Sequence, residues 1–285
     1  LVDNQQVLDD IFKYARIPIV IHSEDESMVQ ENTQKYAGST DPADHMAIRS
    51  PEAALACTKR AVDLAKKYQQ RLHILHLTTA DEVDWFIEQP LPSYITTEVC
   101  IQHLLLHAPR VYDELGTLAQ INPPLRSEFH ANRLWFALQQ GIVSSVVTDH
   151  APHLLSEKLL PFGQAPSGMP GVETLLPLML NCYNQQQCTL QQVTRWLSGA
   201  AHDLFNIRHK GILKEGYDAD IVLVDLNAEG RVSNDAVVSQ CGWSAFDGWS
   251  LKGWPKMTIV NGQLVWREGD FMAFEELPSK EVLFG

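Results

Sequence analysis

The chain has 285 residues, of which 45% are hydrophobic and 20% charged, as is typical of a globular protein. Its formal net charge of −13 argues against nucleic acids and anionic membranes as partners, because both attract basic surfaces. The 5 cysteines form no Cys-x-x-Cys pair, so we expect reduced thiols in a cytoplasmic protein. No apolar stretch has the length expected of a membrane-spanning helix.

Helical and strand-like patterns alternate along most of the chain. Apolar residues at helical spacing predict a helix over 4–14, and the polar stretch 23–48 is predicted to be a loop. The Ser-Pro-Glu sequence at 50–52 is typical of a helix N-terminus and begins a predicted helix that ends near Tyr68. A further helix is predicted over 128–140. Short apolar runs predict strands at 17–22, 72–77, 94–100, 118–121 and 142–147.

This alternation predicts an α/β fold in which helices cover a parallel sheet. The composition changes near residue 208, after which short strand patterns follow one another without helices. Asn261 and Gly262 separate two apolar runs there, which is a strong hairpin signal. We therefore expect an α/β domain over residues 1–208 and a small β-subdomain over 209–285.

Three potential metal ligands follow three of the predicted strands. His22, His76 and Asp149 each stand where an apolar run ends. The carboxyl ends of parallel strands meet at one edge, which is where (β/α)-barrels hold their active sites. Imidazole and carboxylate groups suit Zn²⁺ and similar ions. The alternative is that the segment 148–153 is an ordinary polar turn and that each histidine has a purely structural role.

Other titratable residues allow more than one interpretation. His103 and His107 lie four residues apart on a predicted helical face, but the leucines between them favour burial over metal binding. Glu24 is equally compatible with support of His22 and with a solvated loop position. We expect His45 at the surface and His73 in packing contacts.

The strand-end motifs resemble those of dihydroorotases in the amidohydrolase superfamily, with hydantoinases and allantoinases as further relatives. The resemblance implies that His22 and His76 are metal ligands. It also implies that Asp149, in the sequence Thr-Asp-His-Ala-Pro-His, is both a metal ligand and the catalytic residue that moves a proton.

The same resemblance implies a set of substrate-binding residues. Asn122 lies in the sequence Ile-Asn-Pro-Pro-Leu-Arg at 121–126, which resembles a substrate-contacting loop of the family. His153 ends the Asp149 motif and is expected to bind the substrate as well. Gly168 and Pro170 belong to a Gly-Met-Pro-Gly sequence that resembles the loop whose backbone faces the substrate.

The implied fold is the later part of a TIM-like (β/α)8 barrel with a small C-terminal β-subdomain. The implied reaction is hydrolysis of a cyclic amide, interconverting dihydroorotate and N-carbamoyl-L-aspartate in pyrimidine biosynthesis. A divalent metal, expected to be Zn²⁺ and binuclear in the intact parent, and a cytoplasmic homodimer are also implied. The family's His-x-His pair is absent from this sequence. We therefore expect the earlier barrel strands to precede Leu1 in the parent protein.

Two alternatives stay open at this stage. The chain could belong to a hydantoinase or allantoinase, which hydrolyse related cyclic amides. It could also be a non-catalytic, dihydroorotase-like subunit with a structural role, as in carbamoyltransferase assemblies. The presence of His22, His76 and Asp149 argues against the second alternative, because a structural subunit has no need of them.

Overall fold

A computed structural model of the protein describes residues 4–273 and 280–284. It divides into two compact units, the first formed by residues up to 172 with 237–245, and the second by 173–236 with the residues from 246 onward. Within the described residues, no helix is both long enough and apolar enough to cross a bilayer. The domain boundary between residues 208 and 209 stays a prediction.

The first unit contains a four-stranded parallel sheet in the order β1-β2-β3-β4. Its strands are β1 (Ile19–Ile21), β2 (Leu72–Ile74), β3 (Ile95–Cys100) and β4 (Ser145–Val147). Helices connect and cover these strands, as the predicted alternation requires. They are α1 (Gln5–Tyr14), α2 (Glu26–Lys35), α3 (His45–Ile48), α4 (Pro51–Tyr68), α5 (Ala80–Glu88), α6 (Ile101–Leu105), α7 (Arg110–Leu115), α8 (Glu128–Gln139) and α9 (Leu155–Lys158).

The helix α4 shows why these sequences form these elements. The Ser50 hydroxyl accepts a hydrogen bond from the amide of Ala53, and Pro51 occupies the first helical position. The helix ends at Tyr68, and the capping residue Gln69 that follows adopts a left-handed conformation (φ +52°). One face is buried and small-residue-rich, which lets the helix pack closely in the core. That face consists of Ala53, Ala54, Thr58, Ala61, Val62, Leu64 and Ala65.

Two predicted elements of this unit are wrong. The stretch 23–48 is not a loop, because it contains α2 and α3. The carboxylate of Asp25 accepts a hydrogen bond from the Met28 amide (3.1 Å), which supplies the cap that α2 needs. The apolar run 118–121 does not form a strand, and a 3₁₀ turn covers Gly116–Ala119 instead. The carbonyl of Gln120 binds Gly168 and Lys158 rather than a neighbouring strand.

The second unit contains an antiparallel sheet in the order β5-β6-β7-β8. The predicted hairpin is confirmed, since Asn261 (φ +48°) and Gly262 (φ +82°) form the turn between its two strands. The strands are β5 (Ile221–Arg231), β6 (Ser250–Val260), β7 (Gln263–Arg267) and β8 (Asp270–Phe271). This unit also contains α10 (Leu175–Asn184), α11 (Leu190–Thr194) and α12 (Ala200–Phe205).

Close packing joins α10 to the antiparallel sheet. A Cβ atom at Gly253 would lie 2.6 Å from the Cβ of Leu180, so only glycine allows this approach. The side-chain amide of Asn184 donates to the backbone carbonyl oxygens of Leu226 (3.0 Å) and Lys252 (2.9 Å). The helix is thereby fixed to both β5 and β6 and anchors the sheet.

Candidate active site at the carboxyl edge of the parallel sheet

The three residues predicted as metal ligands all follow strands of the parallel sheet. His22 comes directly after β1, His76 two residues after β2, and Asp149 two residues after β4. Because the strands are parallel, all three lie at the same edge. His76 (φ +34°) and Asp149 (φ +43°) have left-handed backbones, which are unfavourable for residues other than glycine. Such strain is concentrated at functional sites.

His22 and His76 contact each other directly. The Nδ1 atom of His22 lies 3.0 Å from the Nε2 atom of His76, and the two rings meet edge to face with centroids 4.7 Å apart. The strand register explains this contact, since Ile21 pairs with Ile74 in the parallel ladder. Two residues that are distant in sequence therefore become neighbours when β1 and β2 pair.

The carboxylate of Glu24 supports this histidine pair. Its Oε2 atom lies 2.7 Å from Nε2 of His22 and also accepts a hydrogen bond from the guanidinium of Arg49. Burial alone would raise the pKa of Glu24, but the hydrogen bond from His22 and the charges of Arg49 and Arg126 outweigh it and lower the pKa. Glu24 is therefore a carboxylate that accepts the His22 Nε2 proton, which leaves the lone pair of His22 Nδ1 directed toward Nε2 of His76.

His76 is buried, and its Nδ1 atom has no hydrogen-bond partner. Burial, together with the nearby His22 and His103, lowers the pKa of His76 to about 3, so its imidazole is neutral at pH 7. A neutral imidazole is the form that binds a metal. At tetrahedral Zn²⁺, with Zn–N bonds of about 2.0 Å, ligand nitrogens are separated by about 3.3 Å. The spacing of 3.0 Å between His22 and His76 fits this donor pair.

Asp149 lies at the same sheet edge and is partly exposed. Partial burial of its carboxyl group and the charge of Glu98 raise its pKa, while His22 acts in the opposite direction. Across the described residues, no group of three or more His, Cys, Asp or Glu side chains is arranged to hold a metal ion. Three strand spacings separate β1 from β4, or about 14 Å in a flat sheet. The sheet therefore brings two of the three predicted ligands into contact, and the role of Asp149 stays a prediction.

Asn122 is held by His45. The Nε2 atom of His45 lies 2.9 Å from both the backbone oxygen of Ile121 and the Oδ1 atom of Asn122, so it donates to both. The expectation that His45 lies at the surface is wrong, because only 5% of this residue is exposed. Burial and the charge of Arg49 lower its pKa to about 4. A neutral His45 therefore orients the side chain predicted to bind substrate.

His153, at the end of the Asp149 motif, lies beside Gly168 of the Gly-Met-Pro-Gly loop. The Nε2 atom of His153 donates to the carbonyl of Ser167 (3.1 Å), and the Gly168 amide donates to the carbonyl of Gln120 (2.9 Å). A Cβ atom at Gly168 would lie 2.5 Å from the carbonyl oxygen of Ala151, so this contact requires glycine. Pro170, in the same loop as Gly168, is buried. The predicted substrate-binding residues thus belong to connected loops.

The remaining histidines of this region have structural contacts. His103 is buried and its Nε2 atom donates to the Pro123 carbonyl (2.9 Å), which confirms the expected burial. His107 contacts the Leu104 carbonyl (3.2 Å). His73 is buried as predicted, and it lies 2.9 Å from a carboxylate oxygen of Glu98.

Sequence patterns did not identify several contributors to this site. His45 and Arg49 lie in or just after a stretch without a clear hydrophobic period, so no local signal places them near the strand ends. Lys158 follows a leucine-rich segment and resembles an ordinary surface lysine in sequence, yet it is completely buried. Its burial is the one unusual feature, and it depends on tertiary packing.

The sequence profile of the amidohydrolase family matches residues 5–265. The chain is 35% identical over 260 residues to a dihydroorotase of Halobacterium salinarum, covering 91% of the chain and 59% of that relative. It is 31% identical over 258 residues to the dihydroorotase of Methanothermobacter thermautotrophicus, covering 90% of the chain and 58% of the relative. The chain therefore spans about three fifths of the length of these relatives.

Solved structures show the same relationship. The L-hydantoinase (dihydropyrimidinase) of Arthrobacter aurescens superposes with a TM-score of 0.88 and 27% identity, covering 94% of this chain and 62% of the hydantoinase. The dihydropyrimidinase of Brevibacillus agri gives a TM-score of 0.87 with 26% identity, covering 95% and 62%. These similarities confirm the predicted partial TIM-type barrel with a β-subdomain. The chain belongs to the amidohydrolase family.

Proposed function

We propose that the protein containing this chain is a metal-dependent cyclic amidohydrolase that interconverts dihydroorotate and N-carbamoyl-L-aspartate. The observation that carries the proposal is the contact between His22 and His76 at the strand ends, supported by Glu24. Relatives named dihydroorotase, at 31% and 35% identity, support the choice of substrate. Pyrimidine biosynthesis is the pathway that this reaction would serve.

His22 and His76 are the proposed metal ligands, together with Asp149. Their imidazoles fit a divalent ion because Nδ1 of His22 and Nε2 of His76 lie close together and His76 is neutral. We propose Zn²⁺, with a binuclear centre in the intact parent protein. When bound, such an ion polarises a carbonyl group and makes water more acidic.

Asp149 is the proposed catalytic residue. Hydrolysis breaks the ring C–N bond, adds the water oxygen to the carbonyl carbon and transfers a proton to the ring nitrogen. As a carboxylate, Asp149 would accept the proton from water and pass it to the leaving nitrogen. Asn122, His153 and the loop containing Gly168 and Pro170 would orient the ring and its carboxylate.

Steady-state kinetics of the full-length protein test this proposal. We expect higher kcat/KM for dihydroorotate than for hydantoin or allantoin. We expect Asp149→Asn to lower kcat by about 10³-fold or more, with a much smaller change in KM, because it removes the proton acceptor. Asp63→Asn, on the exposed side of α4, is the matched control. Near-normal turnover by Asp149→Asn would contradict the catalytic role.

A hydantoinase-type activity is the second candidate, because the structural neighbours with TM-scores of 0.88 and 0.87 carry that name. Preferred turnover of hydantoin would favour it over the dihydroorotase activity. Absence of turnover with all three substrates, with metal bound, would favour a non-catalytic subunit. A homodimer and a cytoplasmic location stay predictions from the resemblance, and sedimentation velocity would test the first.

A further inference from the structure

Lys158, at the end of α9, is buried to 0% exposure. Lysine is rarely buried without an ionic partner. Within the part of the chain that the structure describes, no carboxylate forms an ion pair with it. Its Nζ atom instead donates to the carbonyl oxygens of Gln120 and Pro166, both at 2.8 Å, and lies 6.0 Å from the centre of the Trp243 ring. An ammonium group thus bridges two backbone segments.

Both segments lead directly into predicted substrate loops. Gln120 precedes Asn122 by two residues, and Pro166 precedes Gly168 by two residues. The carbonyl oxygen of Gln120 accepts hydrogen bonds from both Lys158 Nζ and the Gly168 amide. The position of one loop relative to the other therefore depends on this shared oxygen and on Lys158.

Trp243 connects the third predicted substrate residue to the same cluster. Its indole Nε1 donates to the carbonyl oxygen of His153 at 2.9 Å, and its ring lies beside the Lys158 ammonium. The Lys158 backbone is also fixed, because its carbonyl accepts a hydrogen bond from the Thr117 hydroxyl (2.6 Å). Lys158 and Trp243 therefore connect the segments that carry Asn122, His153 and Gly168.

The chemistry of the site explains why an ammonium group is present. Burying a cation is unfavourable, and this burial lowers the pKa of Lys158 to about 8. A methionine would fill similar space without that penalty, but it has no N–H group to satisfy two carbonyl oxygens. Each of these two carbonyl oxygens would lose a charge-assisted hydrogen bond if the ammonium were removed.

We propose that Lys158 is a positioning residue that holds the Asn122 and Gly168 loops at the separation needed to bind the cyclic substrate. This role rests on the proposed function for its catalytic consequence, whereas the loop geometry itself can be measured without substrate. Among the described residues, Lys158 Nζ donates to Gln120 and Pro166 and forms no hydrogen bond with His22, His76 or Asp149, so we assign it a role separate from metal binding.

The test compares Lys158→Met with the wild type and with Lys35→Met, which removes an exposed lysine from α2. For Lys158→Met we expect KM to rise at least tenfold while kcat stays within about threefold and metal content is unchanged. Hydrogen exchange at the Gly168 amide should accelerate at least tenfold, because its acceptor Gln120 is no longer held. Lys35→Met should match the wild type in all of these measurements.

Lys158→Gln provides a second test if Lys158→Met does not fold. The glutamine amide retains N–H donors on a shorter side chain, so we expect a smaller rise in KM and a smaller acceleration of Gly168 exchange. Wild-type KM and wild-type Gly168 exchange in a folded variant would overturn the proposal, and so would a parallel loss of kcat and metal. If the wild type hydrolyses no cyclic amide, the proposed function fails, and Gly168 exchange alone decides the role of Lys158.

Discussion

His22 and His76 are 54 residues apart in sequence, yet their ring nitrogens approach to 3.0 Å. The contact arises because β1 and β2 are parallel neighbours whose ends lie in register. The carboxylate of Glu24 binds the Nε2 atom of His22, so the Nδ1 atom of His22 faces His76. This arrangement resembles the carboxylate-histidine pairs that orient metal ligands in other proteins.

Replacing Glu24 should weaken metal binding. Glu24→Gln removes the negative charge that accepts the His22 proton, so we expect the affinity for Zn²⁺ to fall by about 10–100-fold. Competition with a chromophoric chelator measures this change. Glu31→Gln, which alters an exposed carboxylate paired with Lys35, should leave the affinity unchanged. Equal affinities in the two variants would show that Glu24 does not orient a ligand.

Gly168→Ala should destabilise the fold. Its backbone has φ +140°, and the added Cβ would lie 2.5 Å from the Ala151 carbonyl oxygen. We expect a loss of about 2–4 kcal/mol in the free energy of unfolding, measured by urea denaturation. Gly163→Ala is the matched control, since Gly163 also has positive φ but nothing lies within 4 Å of the added atom. A similar loss in both variants would exclude the close contact as the cause.

His45 should make the fold sensitive to acid. Its folded-state pKa is about 4, below the ordinary value of 6.5, so the unfolded chain binds more protons between these values. The contribution of neutral His45 to the free energy of unfolding is fully present above pH 6.5. It decreases by about 2–3 kcal/mol as the pH falls toward 4. His45→Gln should lose less stability than the wild type between pH 7 and 4.5 in urea denaturation. His209→Gln, at an exposed position, should follow the wild type.

Lys158 should make stability depend on pH in the same direction as His45 does, but in the alkaline range. Its folded-state pKa is about 8 against an ordinary 10.5, so between these values the unfolded chain again binds more protons. The stability of the wild type relative to Lys158→Met should therefore rise by about 1–3 kcal/mol from pH 8 to 10.5. Lys35→Met should parallel the wild type. A relative stability that falls over this range would require an anionic partner for Lys158.

The elements that the sequence predicts best are those with complete local signals. The helix at Pro51–Tyr68 has a serine cap, a proline at its first position and a regular apolar face, and all of these act within the segment itself. The Asn261-Gly262 hairpin is predicted for the same reason. The run 118–121 is apolar but has no strand partner, and apolar character alone does not make a strand.

The sequence by itself determined that His22, His76 and Asp149 follow strands, because each stands at the end of an apolar run. It also determined that they share one sheet edge, because the carboxyl ends of parallel strands lie together whatever the details of packing. Which of them touch, and which other groups join them, depended on the tertiary structure. The burial of His45 and Lys158, and the pairing of Glu24 with His22, result from contacts between distant segments. Such contacts exist only after the strands have paired and water has been excluded, and no local pattern encodes them.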